Sequence, residues 1–335
     1  MKHAFLVWIG VAFAAGWSLA DASRALAGVG GLRASLVFVA LSAAGATLPL
    51  GAVWRALRRP GALVAAVGTN LLGLPALTFV AWRLAVVGGG DESIGGGVFV
   101  VGLVPCTLAS AVIWTRMAGG DESVALLTTA VTNLLCVATV PAALSWAGLV
   151  GEGVSGGWSH AVKLLATIAL PLSLAAAFRL AGGAAAADRH RTTLTRVGQG
   201  CILVMVFLGA GRTAGGTGWG DIVLAVALSA VVHAAAVAIG FSAAGALGAD
   251  RPGRIAAGIA GGQKTLVVGL QIAIDAGVSV VPMLAYHTVQ LIMDTVLATR
   301  LQSPPPASKA PPPASGAPPA GRDVQAPSEN EPPRP

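Results

Sequence analysis

Long apolar runs, typically 17 to 25 residues and separated by short polar loops, fill most of this 335-residue chain. A run of that length, coiled as α-helix, spans the hydrocarbon core of a bilayer. Lipid offers no partner for main-chain N–H and C=O groups, so each run must satisfy its own by forming helix. The alternation expected of a membrane β-barrel is not seen. The expected fold is therefore an all-α polytopic membrane protein. Composition agrees, with 55% hydrophobic and 10% charged residues against about 25% charged in an ordinary soluble domain.

Ten transmembrane helices are predicted, at approximately 4–20, 34–53, 61–82, 95–115, 124–149, 160–178, 197–211, 221–245, 255–273 and 279–299. Pro60, Pro252 and the run Gly88-Gly89-Gly90 fall at starts or in loops, where a missing N–H or a flexible backbone costs little. Pro75, Pro105, Pro141, Pro171 and Pro282 fall inside apolar runs, where neighbouring helices can satisfy the freed groups. The 17 apolar residues from Ala4 to Ala20 exceed the usual 7 to 15 of a signal-peptide core, so the first span is read as retained.

Orientation follows from the loop cations. One side collects Lys2, Arg55, Arg58, Arg59, Arg116, Arg179, Arg189, Arg191, Arg196, Arg251, Arg254 and Arg300, and the other only Arg24, Arg33, Arg83, Lys163 and Arg212. The rich side is expected to be cytoplasmic, giving a multi-pass plasma (inner) membrane protein with both termini cytoplasmic. The +7 net charge then reflects topology rather than a nucleic-acid partner. Residues 1–301 are read as the transmembrane domain. The segment 302–335 holds 12 of the 20 prolines and is read as a disordered Pro/Ala-rich cytoplasmic tail.

Lys264 is a charge inside the apolar run Ile255 to Ala273. Such a residue costs roughly 2.5–3.5 kcal/mol on insertion scales and by default faces a cavity, a partner or a transport path. Its surroundings, Gly258-Ile259-Ala260-Gly261-Gly262-Gln263-Lys264-Thr265, read as a helix weakened by its glycines and broken around Ala260 to Lys264, and a break around Pro105 to Ala109 interrupts an earlier run. Matching breaks in two halves mark a secondary transporter. Five spans in about 1–155 and five in about 156–301 give halves of opposite polarity, so two inverted five-helix repeats are expected, with helices four and nine broken and crossing. No HExxH, P-loop, GxSxG or paired-carboxylate motif supports catalysis, and Cys106, Cys136 and Cys201 lack metal or disulfide spacing. The chain is read as not an enzyme, with no resident cofactor or metal.

The runs Val104-Pro105-Cys106-Thr107-Leu108-Ala109-Ser110, Gly119-Gly120-Asp121-Glu122-Ser123 and Thr132-Asn133, with Gly262-Gln263-Lys264-Thr265-Leu266, Pro282 to His287 and Gln290-Leu291, resemble the bile acid:sodium symporter family. They are most similar to its branch containing solute carrier family 10 member 7. The resemblance implies a panel domain and a core domain, the fourth and ninth helices unwound at the centre, and transport of organic anions such as bile acids, steroid sulfates or small carboxylates. Carried over by position, Ser110, Thr129 and Gln263 are ion-binding candidates. The expected substrate site comprises Thr107, Ser110, Gln263, Lys264, Thr265, His287 and Gln290.

Symporting members have Asn where this chain has Ala111, Glu where it has Ile259 and Asn where it has Lys264. The acidic sodium ligand is absent and an ammonium stands beside the site. The expected function is a secondary transporter of a small organic anion with Na+ or H+ as coupling ion, or uniport. The alternative is a non-transporting membrane regulator of calcium or ion homeostasis, the association of the member 7 branch. Lys264 also reads as a structural substitute for a cation, locking helix nine to carbonyls of helix four. His287 and Gln290 read equally as interhelical hydrogen-bonding groups, and His233 as a satisfied buried histidine. Asp294 is expected to pair with a basic residue at the interface in preference to serving as a proton carrier, and Asp121 to cap a helix.

Overall fold

The structure, a computed structural model, describes residues 2–48, 53–108, 110–149, 162–214 and 216–301. The expected disordered tail, 302–335, lies outside the described residues. Every regular element among the described residues is helical. In chain order they are α1 (Lys2–Ser18), α2 (Ala20–Ala27), α3 (Leu32–Ala46), α4 (Val53–Ala56), α5 (Pro60–Val87), α6 (Glu92–Leu103), α7 (Ser110–Met117), α8 (Glu122–Trp146), α9 (Val162–Arg189), α10 (Arg191–Thr213), α11 (Trp219–Ala246), α12 (Arg251–Gly262), α13 (Leu266–Asp275) and α14 (Val281–Leu301). A helix lies in each of the ten predicted intervals. By length and hydropathy, α5, α8, α9, α10, α11 and the α12–α13 pair make 6 candidate spans, or 7 if α2 and α3, bent by 81°, are one span.

Prolines shape the long helices. In α5 the turn Thr69–Gly73 widens to π geometry, the Leu74 N–H reaching five residues back to the Thr69 carbonyl. Pro75 follows at once and has no N–H to give. The same arrangement, Leu165–Ala169 ahead of Pro171, occurs in α9. A proline removes a main-chain bond and crowds the preceding turn, and a π turn accommodates both without ending the helix. Pro141 lies within α8.

The helices form two groups. In one, α1, α2, α3, α9 and α10 pack on each other; in the other, α5, α6, α7, α8, α11, α12 and α14 do, and α13 touches α3 and α10 of the first group as well as α6 and α14 of the second. The α12–α13 pair is enclosed along its whole apolar window, whereas α11 has 28% of its window buried and turns its remainder outward. Between α11 and α12 the main chains approach closely: a Cβ on Gly240 would lie 2.4 Å from the Ala257 carbonyl oxygen. Small residues at such contacts are how membrane helices gain packing, since lipid removes the hydrophobic drive between them.

The two interrupted helices, α6–α7 and α12–α13, run antiparallel and are joined by main-chain hydrogen bonds at three levels. Asp121 N–H donates to the Pro252 carbonyl at 3.0 Å, Thr265 N–H to Pro105 at 3.0 Å and Ser279 N–H to Ser93 at 3.1 Å. Each thus ends against the other's beginning and meets it at the breaks. Their first halves match: α6 and α12 are each 12 residues long and each begins with an Asp cap, Asp91 accepting from Ile94 N–H and Asp250 from Gly253 N–H. The first break spans Val104 to Leu108, with Ala109 outside the described residues. The second falls at Gln263–Thr265 rather than at the predicted 260–264. Gly258 and Gly261 do not weaken α12 there; a Cβ at either would come within 3.0 Å of Val237 or Thr69, so they serve close packing.

Candidate functional site

Lys264 sits in the second break and is wholly buried. Its Nζ donates to the carbonyl oxygens of Asn70 at 2.8 Å, Gly102 at 2.8 Å and Val104 at 2.7 Å, with the Asn70 Oδ1 at 3.2 Å. Each main-chain acceptor is free for a local reason. Gly102 and Val104 stand where α6 ends and its last carbonyls lack helical partners. In the π register, Asn70 would pair with residue 75, which is proline. The ammonium therefore lies at the negative end of α6, where a cation is stabilised, and all three of its N–H bonds have an oxygen to meet.

The main chain of Lys264 is held by one side chain. Gln290 on α14 accepts from the Lys264 N–H and donates to the Lys264 carbonyl, both at 2.9 Å. Its Nε2 also lies 3.0 Å from His287 Nδ1, which makes Nδ1 the acceptor and assigns the neutral ring's proton to Nε2. Asn70 Nδ2 donates to the Gln263 carbonyl at 3.0 Å. Gln263 in turn accepts from Ser110 Oγ at 2.6 Å and donates to the buried carboxylate of Asp294. Asp294 meets His233 Nε2 at 3.0 Å, and Tyr286, 3.3 Å from the other ring nitrogen, donates to the Gly262 carbonyl.

Thr129 belongs to the first break. Its hydroxyl is within hydrogen-bond distance of the Thr107 carbonyl at 3.1 Å and the Ala125 carbonyl at 2.9 Å, and Asn133 Nδ2 holds the Cys106 carbonyl at 2.8 Å. Of the three ion-binding candidates, Ser110 and Gln263 bond each other, while Thr129 secures the Thr107 main chain. No carboxylate bonds Ser110 or Thr129 among the described contacts; of the three candidates Asp294 meets Gln263 alone, and at its amide nitrogen. That donor set supplies little negative charge for a cation.

A cavity of about 240 Å³ opens between the two helix groups. Its polar lining is Thr47, Thr195 and Gln199 together with four of the expected residues, Thr107, Ser110, Thr265 and His287, and Phe5, Leu41, Ile202, Val267 and Leu291 are among its apolar residues. No Lys, Arg, Asp or Glu lines it. Of the seven expected substrate residues, these four share the cavity wall. Gln263, Lys264 and Gln290 are absent from that lining and fully buried: Gln290 holds the Lys264 main chain, Lys264 reaches α5 and α6, and Gln263 bonds Ser110 and Asp294. Sequence reasoning did not single out Asn70; the available signal was an amide five residues ahead of a proline in an apolar run. It placed His233 and Asp294 separately, because their contact joins residues 61 positions apart.

Known proteins resemble this chain in sequence. Over 223 residues, 63% of this chain and 66% of the relative, the sequence is 25% identical to the Escherichia coli K12 protein named "Putative symporter YfeH". Over 222 residues, 58% of this chain, it is 28% identical to the Arabidopsis thaliana protein named "Probable sodium/metabolite cotransporter BASS4, chloroplastic", of which it spans about half, 49%. The model of the SBF-like CPA transporter family matches residues 3–303, which include both breaks and every residue of the site. The apolar helices and this match identify a multi-pass membrane protein, and the chain belongs to the SBF-like CPA transporter family.

Proposed function

We propose that the protein is a secondary transporter of a small organic anion, bound in the cavity between its two helix groups. The observation that carries this reading is a cavity to which the two breaks and α14 bring Thr107, Ser110, Thr265 and His287, while α1, α3 and α10 bring apolar Phe5, Leu41 and Ile202 along with Thr47, Thr195 and Gln199. The helices α7 and α13 begin at the breaks, and their N-terminal ends favour negative charge. Since no cationic side chain lines the cavity, hydroxyls, the His287 N–H and these helix ends would meet a single carboxylate or sulfate, and the apolar residues its hydrocarbon body. Gln263, Lys264 and Gln290 then act as supports of that lining.

The antiparallel broken helices, with equal Asp-capped first halves, support two inverted five-helix repeats and ten spans. On this reading α1, α2, α3, α9 and α10 form the panel and the remaining helices the core, in a plasma (inner) membrane with both termini cytoplasmic. Coupling would not use sodium at Ser110, Thr129 and Gln263: the acidic ligand is missing and Lys264 already brings a positive charge to the breaks. Proton coupling or uniport follows. No observation favours the alternative of a non-transporting regulator.

Uptake of labelled amphipathic mono-anions into proteoliposomes tests the proposal. Saturable uptake is expected, unchanged when choline replaces sodium, with Ser110→Ala or Thr265→Val raising KM roughly tenfold, the loss of about one hydrogen bond. An absence of uptake across carboxylates and sulfates would overturn the anion reading. Uptake that requires a sodium gradient would overturn the coupling.

A further inference from the structure

We propose that the oxygens around the Lys264 ammonium form a monovalent-cation site, which this chain fills with its own side chain. Three main-chain carbonyls and one amide oxygen converge on a single point, at 2.7 to 3.2 Å from Nζ, and none of them carries a formal charge. Rings of neutral carbonyl dipoles are what replace the hydration shell of an alkali cation in selective channels. The three carbonyls have no alternative partner in their helices: α6 has ended at two of them, and Pro75 and the π turn release the third. A buried carbonyl without a partner is costly, and three carbonyl dipoles with an amide oxygen aimed at one point favour a positive charge there.

The side chain itself does nothing else that is visible. Its stem lies within the enclosed α12–α13 break, its ammonium donates to α5 and to the end of α6, and it is absent from the cavity wall. A tethered side chain, unlike a bound ion, cannot dissociate into either compartment. The inference concerns the folded protein and does not rest on the transport reading; a failed uptake assay leaves it standing, and its own test needs no substrate.

The test is thermal unfolding of purified Lys264→Ala protein, isolated and assayed in parallel in potassium, ammonium, sodium or choline chloride at equal ionic strength. In choline the variant should unfold on the order of 10 °C below the wild type, the shift expected from leaving several buried polar groups unmet. Potassium or ammonium should recover at least half of that difference, by mass action on an emptied site, with sodium, a smaller ion, less effective. The wild type should unfold at one temperature in all four salts. Lys264→Met, which fills the space with an uncharged chain, should stay destabilised in every salt. Recovery that is equal in choline, equal for the Met variant, or absent in all salts overturns the proposal, and so does an Ala variant that yields folded protein in none of them.

Discussion

Gln290 holds both main-chain groups of Lys264 with its two amide ends. Replacing it by Leu keeps the approximate volume and leaves a buried N–H and a buried C=O without partners. Each unmet group costs about 1–3 kcal/mol in proteins generally, whereas side-chain hydrogen bonds between membrane helices average only about 0.6 kcal/mol, because other partners are found. Main-chain groups fixed at a helix break cannot rotate towards a substitute. We therefore expect Gln290→Leu to destabilise by about 2 kcal/mol or more, read by reversible unfolding in mild detergent or bilayer mimics; a loss under about 0.5 kcal/mol would show that the break relaxes. The importance of Lys264 was legible in the sequence, since a lysine in an apolar run must have a partner. Its partners were not. Asn70 lies 194 positions away, and nothing local in either segment encodes their meeting. Asp294 likewise reads as needing a basic partner, but the buried His233 that it meets and the Gln263 amide that donates to it lie 61 and 31 positions distant.

At the scale of elements, caps and prolines were the legible part. Asp121 accepts from the Ser123 N–H and caps α8, as an acidic residue after two glycines suggests. Glycine was less legible, because the same residue type weakens a helix or lets two helices touch, and only the neighbours of Gly258 and Gly261 decide which. The π turns were not anticipated: a proline in an apolar run announces a disturbance, while the packing selects its form. Asp250 offers a test of a cap. Burial alone would raise its carboxyl's pKa, but the Gly253 N–H and the Arg59 guanidinium outweigh this and hold it below the ordinary 3.8. The Arg59–Asp250 pair is substantially exposed, so the ion pair contributes little and the cap dominates. Asp250→Ala should cost about 1 kcal/mol at pH 7. A depressed carboxylate contributes fully above its unfolded value, about 3.9, and the contribution is lost as pH falls through its folded value. The difference between wild type and variant should therefore shrink below about pH 4. A difference that is constant down to the acid transition would assign the effect to something other than the carboxylate.

For the whole molecule, the cavity and the ion pairs of Asp275 lie toward opposite ends of the helices that separate the two groups. Asp275, at the end of α13, pairs with Arg33 of α3 at 3.0 Å and Lys163 of α9 at 2.6 Å, joining the two helix groups. The cavity is lined by Ala40 to Thr47 of α3 and by Leu194 to Ile202 of α10, at the ends of those helices remote from Arg33 and Arg212. On the transport reading, alternation of access requires halves of opposite polarity, which five spans per half would supply. The loop after α7 and the loop after α13 must then lie on opposite sides of the membrane, with the Arg-rich one inside. With Cys106, Cys136 and Cys201 replaced by alanine, Arg116→Cys and Ala276→Cys report this directly. A membrane-impermeant maleimide applied to intact cells should label the second and spare the first, which should react only after permeabilisation. Labelling of both from the same side would remove the inverted repeat, because two copies of a five-helix unit cannot return their fourth loops to one face.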